Sequence, residues 1–278
     1  MGSQETTERD APRAPLGAAS LMAACVAILL ALAPAGAGAE ESADQWLRRS
    51  QAARFPARDM RAGFVMYIEQ KDGPRLKRRG VALRRTREGE LADRLFVVQA
   101  PENLKELALL SHDQAGAAAA QWLYMPVYRR ARRVSVQAAT DAFVGSDFMY
   151  VDFGRVRPEA GAHRLKGSTE VEGRPCVVVE TVTLDSSLPY RTLLSTLDRE
   201  NALPLRLEYM DEKGELTRVA TIDSIAAIEG WPTPITLSVR TVREGSRSIL
   251  KLANVDYDVG LDPSLFTVEN LEGASKEP

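Results

Sequence analysis

The residues best equipped for chemistry in this 278-residue chain are few and scattered. Its two histidines, His112 and His163, lie far apart, and its two cysteines are Cys25 and Cys176. A zinc site needs a close set of Cys, His or carboxylate ligands, and a nucleophilic triad needs a serine, an imidazole and a carboxylate in register. Two isolated imidazoles supply neither. Asp141, Asp147 and Asp152 are spaced six and five apart, unlike the one-three-five ligand spacing of a compact calcium loop. Cys176 sits in an apolar run and reads as an inert core residue. The inventory predicts no cofactor, no metal and no catalysis, and points to a binding protein.

One stretch is unusual. Residues 121–153, "QWLYMPVYRRARRVSVQAATDAFVGSDFMYVDF", place four arginines, Arg129, Arg130, Arg132 and Arg133, after Trp122 and Tyr124. A Gly-Ser-Asp then follows among Phe143, Phe148, Tyr150 and Phe153, with Asp147 in position to cap the segment bearing Phe148 and Tyr150. Arginines beside aromatics suit nucleic acid. They also suit a solvated strand edge that resists pairing, or a fork for the carboxylate or phosphate of a headgroup or partner. The basic hairpin from Arg75 to Arg87, with seven Lys and Arg, extends the same choices. Net charge argues against nucleic acid. The whole chain carries −2, where a phosphate-binding protein needs a positive excess. The balance is uneven along the chain: residues 40–165 hold 22 basic against 16 acidic side chains, and 166–278 hold 12 against 19.

The elements that must position these groups begin after an address label. Residues 18–33, "AASLMAACVAILLALA", are apolar and uncharged, and "APAGAGA" ends on the small residues Ala37 and Ala39. This is the pattern of a secretory signal peptide cleaved after Ala39, leaving residues 40–278 as a single domain. Residues 41–60 predict a helix with Ser42 as its cap, Trp46 and Leu47 on its apolar side, and Pro56 at its end. From there the period changes to two. Segments such as "GFVMYIEQ", "RPCVVVETVTL" and "PITLSVRTV", separated by turns such as "KDGP" and "DEKGE", predict about eleven strands joined mainly as hairpins. Alternation is clean in the second half, where Leu205, Leu207 and Tyr209 oppose Arg206, Glu208 and Met210. The fold is therefore mainly β, a curved antiparallel sheet with one dry face. About eight strands make a barrel whose interior is just filled by side chains, so a larger sheet predicts a hollow. The Trp46 helix and residues 140–150 are the candidate covers.

The residues of the unusual stretch resemble a family. Trp122, Tyr124 and Pro126 in "W-x-Y-x-P", the run from Arg130 to Arg133-Val134-Ser135, and then Phe143, Gly145-Ser146-Asp147-Phe148, Tyr150 and Asp152 are similar to the pattern of LolA-like periplasmic carriers, the outer-membrane lipoprotein-sorting proteins. "GRPCVVVE", "LPLRLEYMDEKGEL", "GWPTPI" and "VDYDVGLDPSLFTVENLE" continue the likeness, and the Ala-rich "HDQAGAAAA" is its main departure. The resemblance implies an incomplete, strongly curved antiparallel barrel with helices covering its open side. It implies a periplasmic carrier of a lipid or of lipoprotein acyl chains between the inner and outer membranes. Its expected partners are an inner-membrane transporter and an outer-membrane acceptor. It equally admits a regulatory envelope-stress sensor that binds lipid or lipoprotein and contacts a membrane protein. Under either reading, Trp122, Tyr124, Arg130, Arg133, Phe143, Asp147, Phe148 and Tyr150 are the expected cavity, lid or rim residues.

Overall fold

The computed structural model describes Gly2 and residues 41–54, 57–88, 91–154 and 161–276. The predicted signal peptide, its cleavage site and the Pro56 helix stop lie outside the described residues.

The first element is the helix α1 (Ala43–Ala53), shorter than the predicted 41–60. Ser42 caps it: its hydroxyl accepts from the Gln45 N–H, and the Gln45 amide oxygen accepts in return from the Ser42 N–H at 2.7 Å. The chain then turns to strand. Six strands follow, β1 (Asp59–Glu69), β2 (Leu76–Thr86), β3 (Ala92–Ala100), β4 (Ala108–Gln114), β5 (Ala117–Met125) and β6 (Arg130–Arg133). After a crossover come β7 (Gly161–Val171), β8 (Arg174–Thr183), β9 (Thr192–Asp198), β10 (Pro204–Met210), β11 (Leu216–Ile228), β12 (Trp231–Thr241) and β13 (Ser246–Tyr257).

All thirteen belong to one sheet in the order β6-β5-β4-β3-β2-β1-β13-β12-β11-β10-β9-β8-β7, and every pairing is antiparallel. Thirteen rather than about eleven is a correction. The edge strand β7 is mostly exposed, so it lacks the one-sided alternation that betrays a half-buried strand. Two hairpin stacks thus meet where β1 pairs with β13, Met60 opposite Tyr257. The Asp59 carboxylate reinforces that seam by accepting from the N–H groups of Val259, Gly260 and Leu261. The sheet does not close. Among the described residues its edge strands, β6 and β7, stand at opposite ends of the strand order and do not pair with each other.

Both faces of β2–β5 carry apolar residues. On one, Leu83, Leu95, Leu110 and Tyr124 pack under Phe266, Leu271 and Ala274, which belong to the C-terminal segment that ends in the short helix α2 (Leu271–Lys276). On the other, Ala82, Val98 and Leu109 join Phe64, Met66, Ile68, Val239 and Leu250 around the crossover's Phe143, Phe148 and Phe153. Helix α1 lays Trp46 and Leu47 on Val177, Val179 and Leu197. Gly80 shows how closely the inner face is built: a Cβ there would stand 1.9 Å from the Val97 carbonyl oxygen and 2.6 Å from the Phe64 ring, so only glycine fits.

Candidate lipid-binding cavity

The curved sheet surrounds a cavity of about 1570 Å³. Much of its wall is apolar, from Leu47 and Ala53 on α1 to Leu207, Leu237, Val239, Leu250 and Leu252 on the second stack. The crossover contributes Phe148, Val151 and Phe153.

The Gly-Ser-Asp motif explains how that crossover is held. Gly145 takes a positive φ of 78°, which turns the chain so that the Ser146 N–H reaches the Phe143 carbonyl at 2.9 Å. The Ser146 hydroxyl donates to the same carbonyl at 2.7 Å, and the Phe143 N–H closes the loop on the Phe148 carbonyl at 2.7 Å. Asp147 then docks the loop on the sheet. Its carboxylate accepts from the Thr241 hydroxyl at 2.6 Å, from the Ser248 hydroxyl at 2.7 Å and from the Ser246 hydroxyl. The expected capping role of Asp147 is thereby corrected. The Met149 N–H at the start of the next turn is instead taken by Asp152 at 2.8 Å. Asp152 also binds Arg218 of β11 through both carboxylate oxygens, one at 3.0 Å. Burial alone would lower the Arg218 guanidinium, but the Asp152 carboxylate beside it holds it above its ordinary value.

The aromatics of the motif pack as a unit. Phe153 sits 4.6 Å from Phe96 and 4.8 Å from Phe143, both edge-on, and Tyr150 meets Phe143 at 5.9 Å. Phe143 is fully buried, Phe148 nearly so, and Tyr150 half-buried. The Tyr150 carbonyl accepts from the Gln121 amide at 2.7 Å, which ties the crossover to β5.

The remaining predicted residues are placed elsewhere. Trp122 and Tyr124 do not line the cavity: they face the C-terminal segment on the opposite side of β5, Trp122 against His112 at 5.1 Å and Tyr124 buried near Leu271. Their neighbours Gln121 and Leu123 turn inward instead. Arg130 and Arg133 are exposed on the sheet-edge strand β6, and Arg133 lies at the cavity margin with its guanidinium 6.0 Å from the Trp122 ring. Arg129 is not on the strand. It occupies a left-handed turn and pairs with Glu272 at 3.1 Å.

Charged groups inside the cavity were not among the expected site residues. Arg84, Arg94 and Arg218 are each at least nine-tenths buried, and all three, with Arg54, contribute to the wall. Arg94 donates to Asp113 at 2.7 Å, and Arg84 donates to the Ala57 carbonyl and the Thr86 hydroxyl. Burial, and then the neighbouring Arg94, brings the Arg84 guanidinium down to about 10. The signal lay in the alternation: Arg84 follows Ala82 by two residues and Arg94 precedes Phe96 by two, so each shares its face with an inward apolar neighbour.

This open antiparallel sheet shares its fold with solved structures of LolA-like and outer-membrane lipoprotein-sorting proteins. A domain assigned to that group from Vibrio parahaemolyticus superposes with a TM-score of 0.76 at 22% identity, covering 81% of this chain and 97% of the other. A DUF1329 family protein from Desulfovibrio piger gives 0.77 at 22% identity, covering 84% and 100%. A LolA superfamily protein from Nitrosomonas europaea gives 0.65 at 18% identity, covering 82% and 98%. A family model described as "-like: Uncharacterized protein" matches residues 90–273, more than half of the chain, and the chain belongs to that family. Comparison with curated proteins finds no match.

Proposed function

We propose that the protein is a periplasmic carrier that shields the acyl chains of a lipid or lipoprotein between two membranes. The observation that carries this reading is the cavity itself. At about 1570 Å³ it exceeds the roughly 300–1,000 Å³ of ordinary small-molecule sites, and much of its wall is apolar. The physical need is plain: each exposed methylene costs about 0.8 kcal/mol, so a chain of roughly fourteen carbons needs on the order of 11 kcal/mol of shielding to leave a membrane. Export and cleavage after Ala39 place the domain between the membranes. Helix α1 and the crossover act as covers of the open side. The exposed arginines of β6 form a rim that meets an anionic membrane surface, the inner-membrane transporter or the outer-membrane acceptor. Among the described residues no helix is long and apolar enough to cross a membrane.

Native mass spectrometry of protein purified from its own envelope tests the reading directly. Co-purified lipid is the expected result, together with uptake of an apolar fluorescent probe that long-chain lipids displace and short-chain lipids do not. A folded sample that holds no lipid and takes up no probe overturns it.

A further inference from the structure

The inner wall is not uniformly apolar. Four arginines that are not exposed, Arg54, Arg84, Arg94 and Arg218, line it, with Asp113 holding Arg94 and Asp152 holding Arg218. Two of the arginines are set directly against each other. Arg84 of β2 and Arg94 of β3 are cross-strand partners in the ladder, with side chains on the same inward face. They are 5% and 7% exposed. Like charges in directly opposed positions destabilise a sheet, and burial strengthens their repulsion. A third guanidinium, that of Arg54 at the end of α1, lies on the same cavity wall. Burial lowers it below its ordinary value, with Arg94 among the charges that act on it.

We propose that the wall at Arg84 and Arg94 is the seat of an anionic headgroup, a carboxylate or a phosphate, on the carried acyl cargo, with Arg54 contributing from the helix side. The seat rests on the carrier reading given above and adds its polarity: the cargo enters with its charged head toward β2–β3 and lays its chains along the leucine-rich wall of the second stack. A guanidinium pair suits this role because its forks match carboxylate and phosphate oxygens, and hydrogen bonds between ionised partners are roughly twice as strong as neutral ones. The Asp113 carboxylate already holds Arg94 at 2.7 Å, which fixes that guanidinium in place before cargo arrives.

The test compares amphiphiles matched in chain and different in head. Binding of palmitate and hexadecanol, and of dipalmitoyl phosphatidate and dipalmitoylglycerol, is measured on the purified full-length protein by displacement of an apolar fluorescent probe. At least one anionic member is expected to bind tenfold or more tightly than its neutral counterpart. A preference within the first pair alone assigns a carboxylate, within the second alone a phosphate. Arg84→Gln is expected to bring the preference below threefold. Arg54→Gln, at a less buried position, is expected to weaken the preference in the same direction and serves if the Arg84 variant does not fold. Equal binding of charged and neutral members, or a preference that survives both substitutions, overturns the anion seat and leaves the carrier reading standing. Absence of binding by all four overturns the carrier reading.

Discussion

Asp147 and Ser248, 101 residues apart in sequence, exchange two hydrogen bonds: the Asp147 N–H donates to the Ser248 hydroxyl at 2.9 Å, and that hydroxyl donates to the Asp147 carboxylate at 2.7 Å. Ser248 is fully buried in β13, so this exchange, with the Thr241 and Ser246 hydroxyls on the same carboxylate, fastens the crossover to the concave face.

Truncating the fastener should therefore cost stability and loosen the cavity together. Asp147→Ala leaves buried hydroxyls without their acceptor, and such groups cost about 1–3 kcal/mol each, so a loss on the order of 3 kcal/mol is expected in chemical denaturation. Asp147→Asn, which keeps one acceptor oxygen, should lose less. Probe affinity should change in both. An Asp147→Ala protein as stable as the parent removes the docking role.

A second contact with the same crossover behaves differently. Arg218 is buried and Asp152 is nearly so, so removing either partner alone strands a charge. Asp152→Ala is expected to cost about 3–5 kcal/mol, whereas Arg218→Met with Asp152→Ala should recover much of that loss. A double-mutant cycle measures the coupling. Additive losses would show that the pair does not act as a unit.

The rim arginines should be separable from the fold. Arg130 and Arg133 are exposed on an edge strand, and exposed charges contribute little to stability. Replacing both with glutamine should leave the melting temperature within a degree or two and weaken docking to anionic vesicles, most at low salt. Unfolding of the double variant would contradict the rim assignment.

Gly80 offers a test of the inner face. Gly80→Ala places a methyl against the Val97 carbonyl oxygen and the Phe64 ring, and overpacking of this kind costs about 1–3 kcal/mol. Because the first obstacle is backbone, Phe64→Leu should not rescue the variant. Full rescue in a denaturation series would place the strain in the ring alone.

Much of this architecture was legible in the sequence, and the reasons for the rest are physical. Where one face of a strand is dry and the other wet, as at Leu207 and Tyr209 or Leu237 and Val239, alternation assigned the inward residues correctly. It failed in β5. There the C-terminal segment covers the outer face, so Trp122 and Tyr124 are as apolar as an inward pair while pointing away from the cavity. The Gly-Ser-Asp motif marked the crossover, but a local reading of Asp147 as a cap could not anticipate hydroxyls from β12 and β13. Arg84 was hidden by company: it is one of seven basic residues in one hairpin, and only its spacing of two from Ala82 marks it as turned inward.

The seam between β1 and β13 has a consequence for the order of events in the cell. The first strand of the sheet pairs with the last, Met60 against Tyr257, and loop closure between distant segments is slow and entropically costly. A chain synthesised N-terminus first can form its early hairpins, but β1 stays an open edge until β13 has been made. The central joint of the molecule is then its last to set, and the hollow takes its final form only once the last strand is present.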